Sequence, residues 1–130
     1  MNYTIQGNVL KLNNDVKKVD FKTFDNISDS ITQIILSEGV ETIDDYTFFD
    51  NINLEKIYLP DTLKEIWTQA FFGLDNLKYL FVRKSVERIS EGAIVNCINC
   101  TIFVEKDKDC YGDKWYGNVK DIKFNMSREK

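Results

Sequence analysis

Apolar positions recur along this chain with a period of 23 residues. Between Ile31 and Asn99 the sequence divides without gaps into three copies, ITQIILSEGVETIDDYTFFDNIN, LEKIYLPDTLKEIWTQAFFGLDN and LKYLFVRKSVERISEGAIVNCIN. Aligned, they give seven all-apolar columns: Ile31/Leu54/Leu77, Ile34/Ile57/Leu80, Leu36/Leu59/Val82, Val40/Leu63/Val86, Ile43/Ile66/Ile89, Phe48/Phe71/Ile94 and Phe49/Phe72/Val95. With 43% apolar residues overall, chance gives one such column with probability of roughly 0.08, so seven together mark a true repeat. A fixed period of this length is the signature of a solenoid, whose units bury their apolar faces only against one another.

The columns also predict the elements. Each copy opens with an apolar-x-x-apolar-x-apolar run, read as a short strand with alternating sides. A turn follows at Ser37–Gly39, Pro60–Thr62 or Arg83–Ser85, then the second apolar pair. Thr47-Phe48, Ala70-Phe71 and Ala93-Ile94 are read as parts of a single helical turn, with Asp44, Thr68 or Ser90 at its N-cap. The closing Asn53, Asn76 and Asn99 are expected to take the left-handed conformation that ends such a turn.

This spacing resembles the BspA-type leucine-rich repeats. The middle copy follows their pattern through Leu54, Ile57, Leu59, Pro60, Thr62, Leu63, Ile66, Ala70 and Phe71. Trp67 stands where that family prefers Gly, and Gly39, Thr62 and Ser85 fill the position of the asparagine ladder in ordinary leucine-rich repeats. The resemblance implies an α/β leucine-rich-repeat solenoid with a parallel β-sheet on one face and short helical turns opposite.

At 130 residues the chain is expected to be one domain: an N-terminal cap (1–30), three repeats (31–99) and a C-terminal cap (100–130). Tyr3-x-Ile5 and Val9-Leu10-x-Leu12, around Gln6-Gly7-Asn8, read as the β-hairpin of the N-terminal cap. Val16, Val19 and Phe21 read as the strand of a shortened unit, with Phe24 and Ile27 beneath it. Past Asn99 the pattern decays: Glu105 falls where an inward aliphatic belongs. Val119-x-x-Ile122-x-Phe124 restores a closing strand with Trp115 folded over the last layer, and Met126 to Lys130 form a frayed tail.

Outward strand positions define the expected working face. Three columns are assigned: Gln33, Lys56, Tyr79 and Ile102; Ile35, Tyr58, Phe81 and Val104; Ser37, Pro60, Arg83 and Lys106. An aromatic strip with a cationic margin has the make-up of an interaction hot spot. The expected partner-binding residues are Ile35, Lys56, Tyr58, Tyr79, Phe81, Arg83 and Val104. The resemblance points the same way, since such repeats usually bind proteins. The expected function is a non-catalytic, monomeric recognition module for a protein or peptide. The alternative is a structural spacer or self-assembling fragment of a larger adhesin-like surface protein.

Other chemistry is poorly supplied. There is no histidine, so Ser-His and Cys-His nucleophiles are not available. Cys97 and Cys100 fall in repeat columns as small core hydrophobes, and with Cys110 the three cysteines fall one ligand short of a usual zinc site. Asp107-x-Asp109 and Gly112-Asp113 fit a calcium loop poorly, because Tyr111 and Asn118 hold its fifth and twelfth positions. No cofactor or metal is expected. A net charge of −4 and no basic block argue against nucleic acid. No apolar run approaches a membrane span. The start lacks the build of a signal peptide, so the chain as written reads as cytoplasmic, or as cell-surface if cut from a longer protein.

Overall fold

The computed structural model describes residues 2–126, and the chain winds through them as five successive coils. The first holds β2 after an added edge strand, β1 (Tyr3–Gln6): β2 (Val9–Leu12), β3 (Lys18–Val19) and α1 (Phe21–Phe24). The second has β4 (Gln33–Ile35) and β5 (Thr42–Ile43). The third has β6 (Lys56–Tyr58), β7 (Glu65–Ile66) and β8 (Phe71–Phe72), and the fourth β9 (Tyr79–Val82), β10 (Arg88–Ile89) and β11 (Ile94–Val95). The last has β12 (Thr101–Val104) and β13 (Tyr116–Gly117), and the chain then returns through β14 (Asp121–Lys123).

Corresponding strands of successive coils pair in parallel and make three sheets. The largest runs β1-β2-β4-β6-β9-β12-β14, and the others run β10-β7-β5-β3 and β13-β11-β8. Among the described residues, only β1 and β2 pair antiparallel in the large sheet. Inward side chains meet along the axis in continuous columns. Leu10, Ile34, Ile57, Leu80 and Ile102 form one, and Val19, Ile43, Ile66 and Ile89 another, all buried. Phe24, Phe48 and Phe71 stack with ring centroids 5.1 Å apart at each step. Each buried Leu, Ile or Phe contributes about 1.5–3 kcal/mol relative to exposure.

Three expectations change. Helical turns were expected opposite the large sheet in every repeat. Among the described residues the one α-helix is α1, held by a capping box in which Asp20 Oδ1 accepts from Thr23 N–H and Thr23 Oγ1 accepts from Asp20 N–H. In the repeats the local bonds close isolated turns, such as Ala70 N–H to Trp67 O at 3.3 Å, and the backbone between them bonds to the next coil. Phe71 N–H donates to Ala93 O at 2.9 Å, Gly73 N–H to Val95 O at 3.0 Å, and Ile94 N–H to Trp115 O at 3.0 Å. Left-handed residues fix that path at Tyr46/Gln69/Gly92 and Asp50/Gly73/Asn96. Such residues interrupt a right-handed turn, and Asp44, Thr68 and Ser90 cap no helix.

The closing asparagines are therefore not the left-handed residues. Two of them bond to the preceding coil through their side chains: Asn76 Nδ2 donates to Ile52 O at 2.7 Å and Asn99 Nδ2 to Asp75 O at 2.8 Å.

The expected N-terminal cap contains a full coil. Val9–Lys11 pairs in parallel with Gln33–Ile35, and Val19 pairs with Ile43. Val16 and Val19 therefore fill the Val40/Ile43 columns, 24 residues ahead of them, and Phe24 fills the column of Phe48. At the other end, Ile122 pairs with Ile102, and buried Trp115 packs edge-on to Tyr111 and Tyr116. The expected frayed tail lies, beyond Met126, outside the described residues. Among those described, no helix is long and apolar enough to cross a membrane.

Candidate docking face on the large sheet

Strand alternation turns one row of side chains from each large-sheet strand away from the core. Paired positions run Lys11–Ile35–Tyr58 on one side and Phe81–Phe103–Lys123 on the other. Lys56 faces Tyr79 across β6 and β9, so Tyr58 and Phe81, each two residues further on, share the row. The result is an apolar and aromatic tract of four side chains bounded by a lysine at each end. Tyr58 and Tyr79 are 38% and 44% exposed. Phe81 and Phe103 stack at 6.2 Å between centroids.

Val104 leaves the expected site. The fourth and fifth coils pair with an offset of 22 residues, Phe81 with Phe103 and Val82 with Val104. A slip of one residue exchanges the two sides of a strand. Ile102 and Val104 are buried in the core, Phe103 takes the outward place, and Thr101 stands beside Tyr79. The physical reason is Glu105. The regular offset would have driven its carboxylate into the apolar interior at a large desolvation cost. In the observed register Glu105 Oε1 stays outside and accepts from Lys84 N–H at 2.8 Å.

The third expected column does not project into solvent. Ser37 and Pro60 are buried, and Ser37 Oγ donates to Asn13 O at 2.7 Å. Lys106 turns away, with Nζ donating to Val86 O at 3.0 Å and lying 5.6 Å from the Tyr111 ring centroid. Arg83 belongs to the face but lies within it, only 6% exposed. Its Nε donates to Leu59 O at 3.1 Å. The guanidinium sits 5.0 Å from the Tyr58 ring centroid and 5.2 Å from that of Phe81. Nη1 lies 3.7 Å from Asp61 Oδ1 and has no hydrogen-bond partner. Arg83 thus props both rings from behind by cation–π contact.

Together Gln33, Lys56, Tyr58, Tyr79, Phe81, Arg83 and Phe103 line a groove of about 680 Å³ bordered by Met126. Ile35, half-buried at the edge of the tract, lies outside that lining. Phe103 and Met126 are the members that sequence reasoning missed. The misplaced carboxylate at Glu105 was the available sign for Phe103. A smaller hollow of about 140 Å³ lies away from this face, between Phe21, Asp25, Ile27, Asp50 and Asn51.

The cysteines contribute structure. All three are free thiols, with Cys97 and Cys100 buried and Cys110 exposed. Burial pushes Cys97 up to about 11 and Cys100 up to about 12, so neither is a thiolate at neutral pH. The Cys97 thiol donates to Phe71 O at 3.1 Å. Among the described residues, no three His, Cys, Asp or Glu side chains are grouped to hold a metal ion.

Comparison with known proteins places this geometry. The fold is similar to the crystal structure of the pneumococcal vaccine antigen PcpA, with a TM-score of 0.80 and 21% identity, covering 93% of this chain. The chain spans 31% of that protein's length. It is also similar to the T. pallidum leucine rich repeat protein TpLRR, with a TM-score of 0.57 and 20% identity, covering 91% of this chain and 73% of that one. No curated protein sequence matches significantly. Residues 2–108 match the BspA type leucine rich repeat region (6 copies). With most of its length accounted for in that way, the chain belongs to the BspA-type leucine-rich repeat family.

Proposed function

We propose that this protein is a non-catalytic recognition module that binds a protein or peptide partner on the large-sheet face. The observation that carries the reading is the aromatic tract: Tyr58 and Tyr79 exposed, Phe81 and Phe103 half-buried beside them, all lining one groove. An apolar tract that a folded chain holds open to water is unfavourable unless something else covers it. Arg83 fixes the rings in place, so little side-chain entropy remains to be lost on binding. The binding set is Ile35, Lys56, Tyr58, Tyr79, Phe81 and Arg83, with Phe103 in the place first given to Val104.

The test is a double substitution, Tyr58→Ala with Phe81→Ala, measured by crosslinking pulldown from native lysate beside a thermal melt. The expected result is loss of the captured partner, an effect of about 2 kcal/mol or more in affinity, with a cooperative melt retained. Unchanged capture by the folded variant would remove the proposal.

A further inference from the structure

Among the described residues, the groove wall carries basic side chains and no acidic ones, on an acidic protein. The chain carries a net charge of −4, yet among the described residues the charged side chains that line the groove are Lys56 and Arg83. Lys11 and Lys123 stand at the two ends of the same aromatic row. Arg83 is buried and paired with Asp61. Its Nη1 is sealed from solvent without a hydrogen-bond partner, and the Asp61 carboxylate stops at 3.7 Å. The Glu38 carboxylate accepts from the Tyr58 hydroxyl at 3.5 Å, so the exposed lysines carry the free positive charge of this face. Arg83 lines the groove from beneath the Tyr58 and Phe81 rings, where its contact is with ring faces and Asp61.

We propose that the groove takes an extended peptide that sets a carboxylate on Lys56 and apolar side chains against Tyr58, Tyr79 and Phe81. The inference rests on the docking role proposed above and names the chemistry of the partner. The ring faces that make up most of the wall demand hydrocarbon on the partner. Lys56, exposed and without a salt bridge among the described residues, favours an anion. With Lys11 and Lys123 it makes too sparse a set to hold a polyanion against the repulsion of an acidic chain. A short segment with Asp or Glu between Leu, Ile, Phe or Trp satisfies both demands. A sulfated polysaccharide satisfies only the second.

A random dodecapeptide library displayed on phage, selected on the purified full chain, tests this directly. The expected outcome is peptides carrying Asp or Glu flanked by apolar residues. The amide analogue of a selected peptide, Asn or Gln for Asp or Glu, should bind about tenfold more weakly. Lys56→Gln should weaken the acidic peptide and leave its amide analogue unaffected. Lys56 is exposed, so this variant tests the charge without disturbing the core. Peptides that bind equally well as amides, or that carry no acid, would overturn the carboxylate inference. If those peptides still required Tyr58 and Phe81, the docking role itself would stand. Selected peptides indifferent to Tyr58→Ala with Phe81→Ala would overturn both. An empty selection, with heparin or phosphatidylglycerol vesicles bound instead, would also overturn the peptide inference.

Discussion

Single residues decide which side of each strand meets water. Ile34, Ile57 and Leu80 were legible as core because three copies repeat the choice, and all are buried. Coil five was not legible by period alone, since Thr101-Ile102-Phe103-Val104 offers apolar residues to both sides. The desolvation cost of Glu105 settles it. Cys97 and Cys100 were legible in the same columnar way. Their burial has a consequence in alkali. From the usual thiol value of 9.0 up to about 11 and 12, the unfolded chain loses protons that the folded chain retains. The contribution is fully present below about pH 9 and is lost as pH rises through the folded values. The urea midpoint should therefore fall as pH rises from about 9 towards 11, and Cys97→Ala with Cys100→Val should flatten the fall. Parallel pH profiles for the two proteins would contradict this assignment.

Elements are held in register by polar ladders as well as by the core. Thr62 Oγ1 donates to Val40 O at 2.8 Å and accepts from Gly39 N–H at 2.9 Å, and Ser85 Oγ donates to Leu63 O at 2.7 Å. Hydroxyls thus serve as coil-to-coil rungs. Gly39 is required beside Thr62: its φ is +122°, and an added Cβ would stand 2.8 Å from Asn14 O. Thr62→Val keeps the shape and removes the rung, leaving a backbone N–H and a carbonyl without that partner. It should cost about 1–3 kcal/mol in urea denaturation, while Thr62→Ser costs less than half as much. A neutral Thr62→Val would show that the rung does not matter. At this scale the large-sheet strands were legible and the small sheets were not. Two-residue strands such as Phe71–Phe72 and Ile94–Val95 are too short for period two to differ from one turn of helix. Their identity comes from hydrogen bonds to residues a coil away, which local spacing does not encode.

Across the whole molecule the repeat converts sequence period into a surface. Stacked coils bring Tyr58, Phe81 and Phe103, far apart in sequence, into one row backed by Arg83. The row was legible through Phe81 because the spacing is constant there. It was misread beyond that point because the step from the fourth coil to the fifth is one residue shorter, 22 in place of 23. A second aromatic cluster, Tyr46, Phe49 and Phe72, lies elsewhere in the coils and also forms ring contacts. Exposure alone therefore does not distinguish the working face. A photo-crosslinking amino acid placed at Tyr58, and in a separate protein at Tyr46, makes the distinction in native lysate. The account predicts one dominant crosslinked partner from position 58 and none of it from position 46. Equal capture at both positions, or capture from position 46 alone, would contradict the large-sheet face as the docking surface.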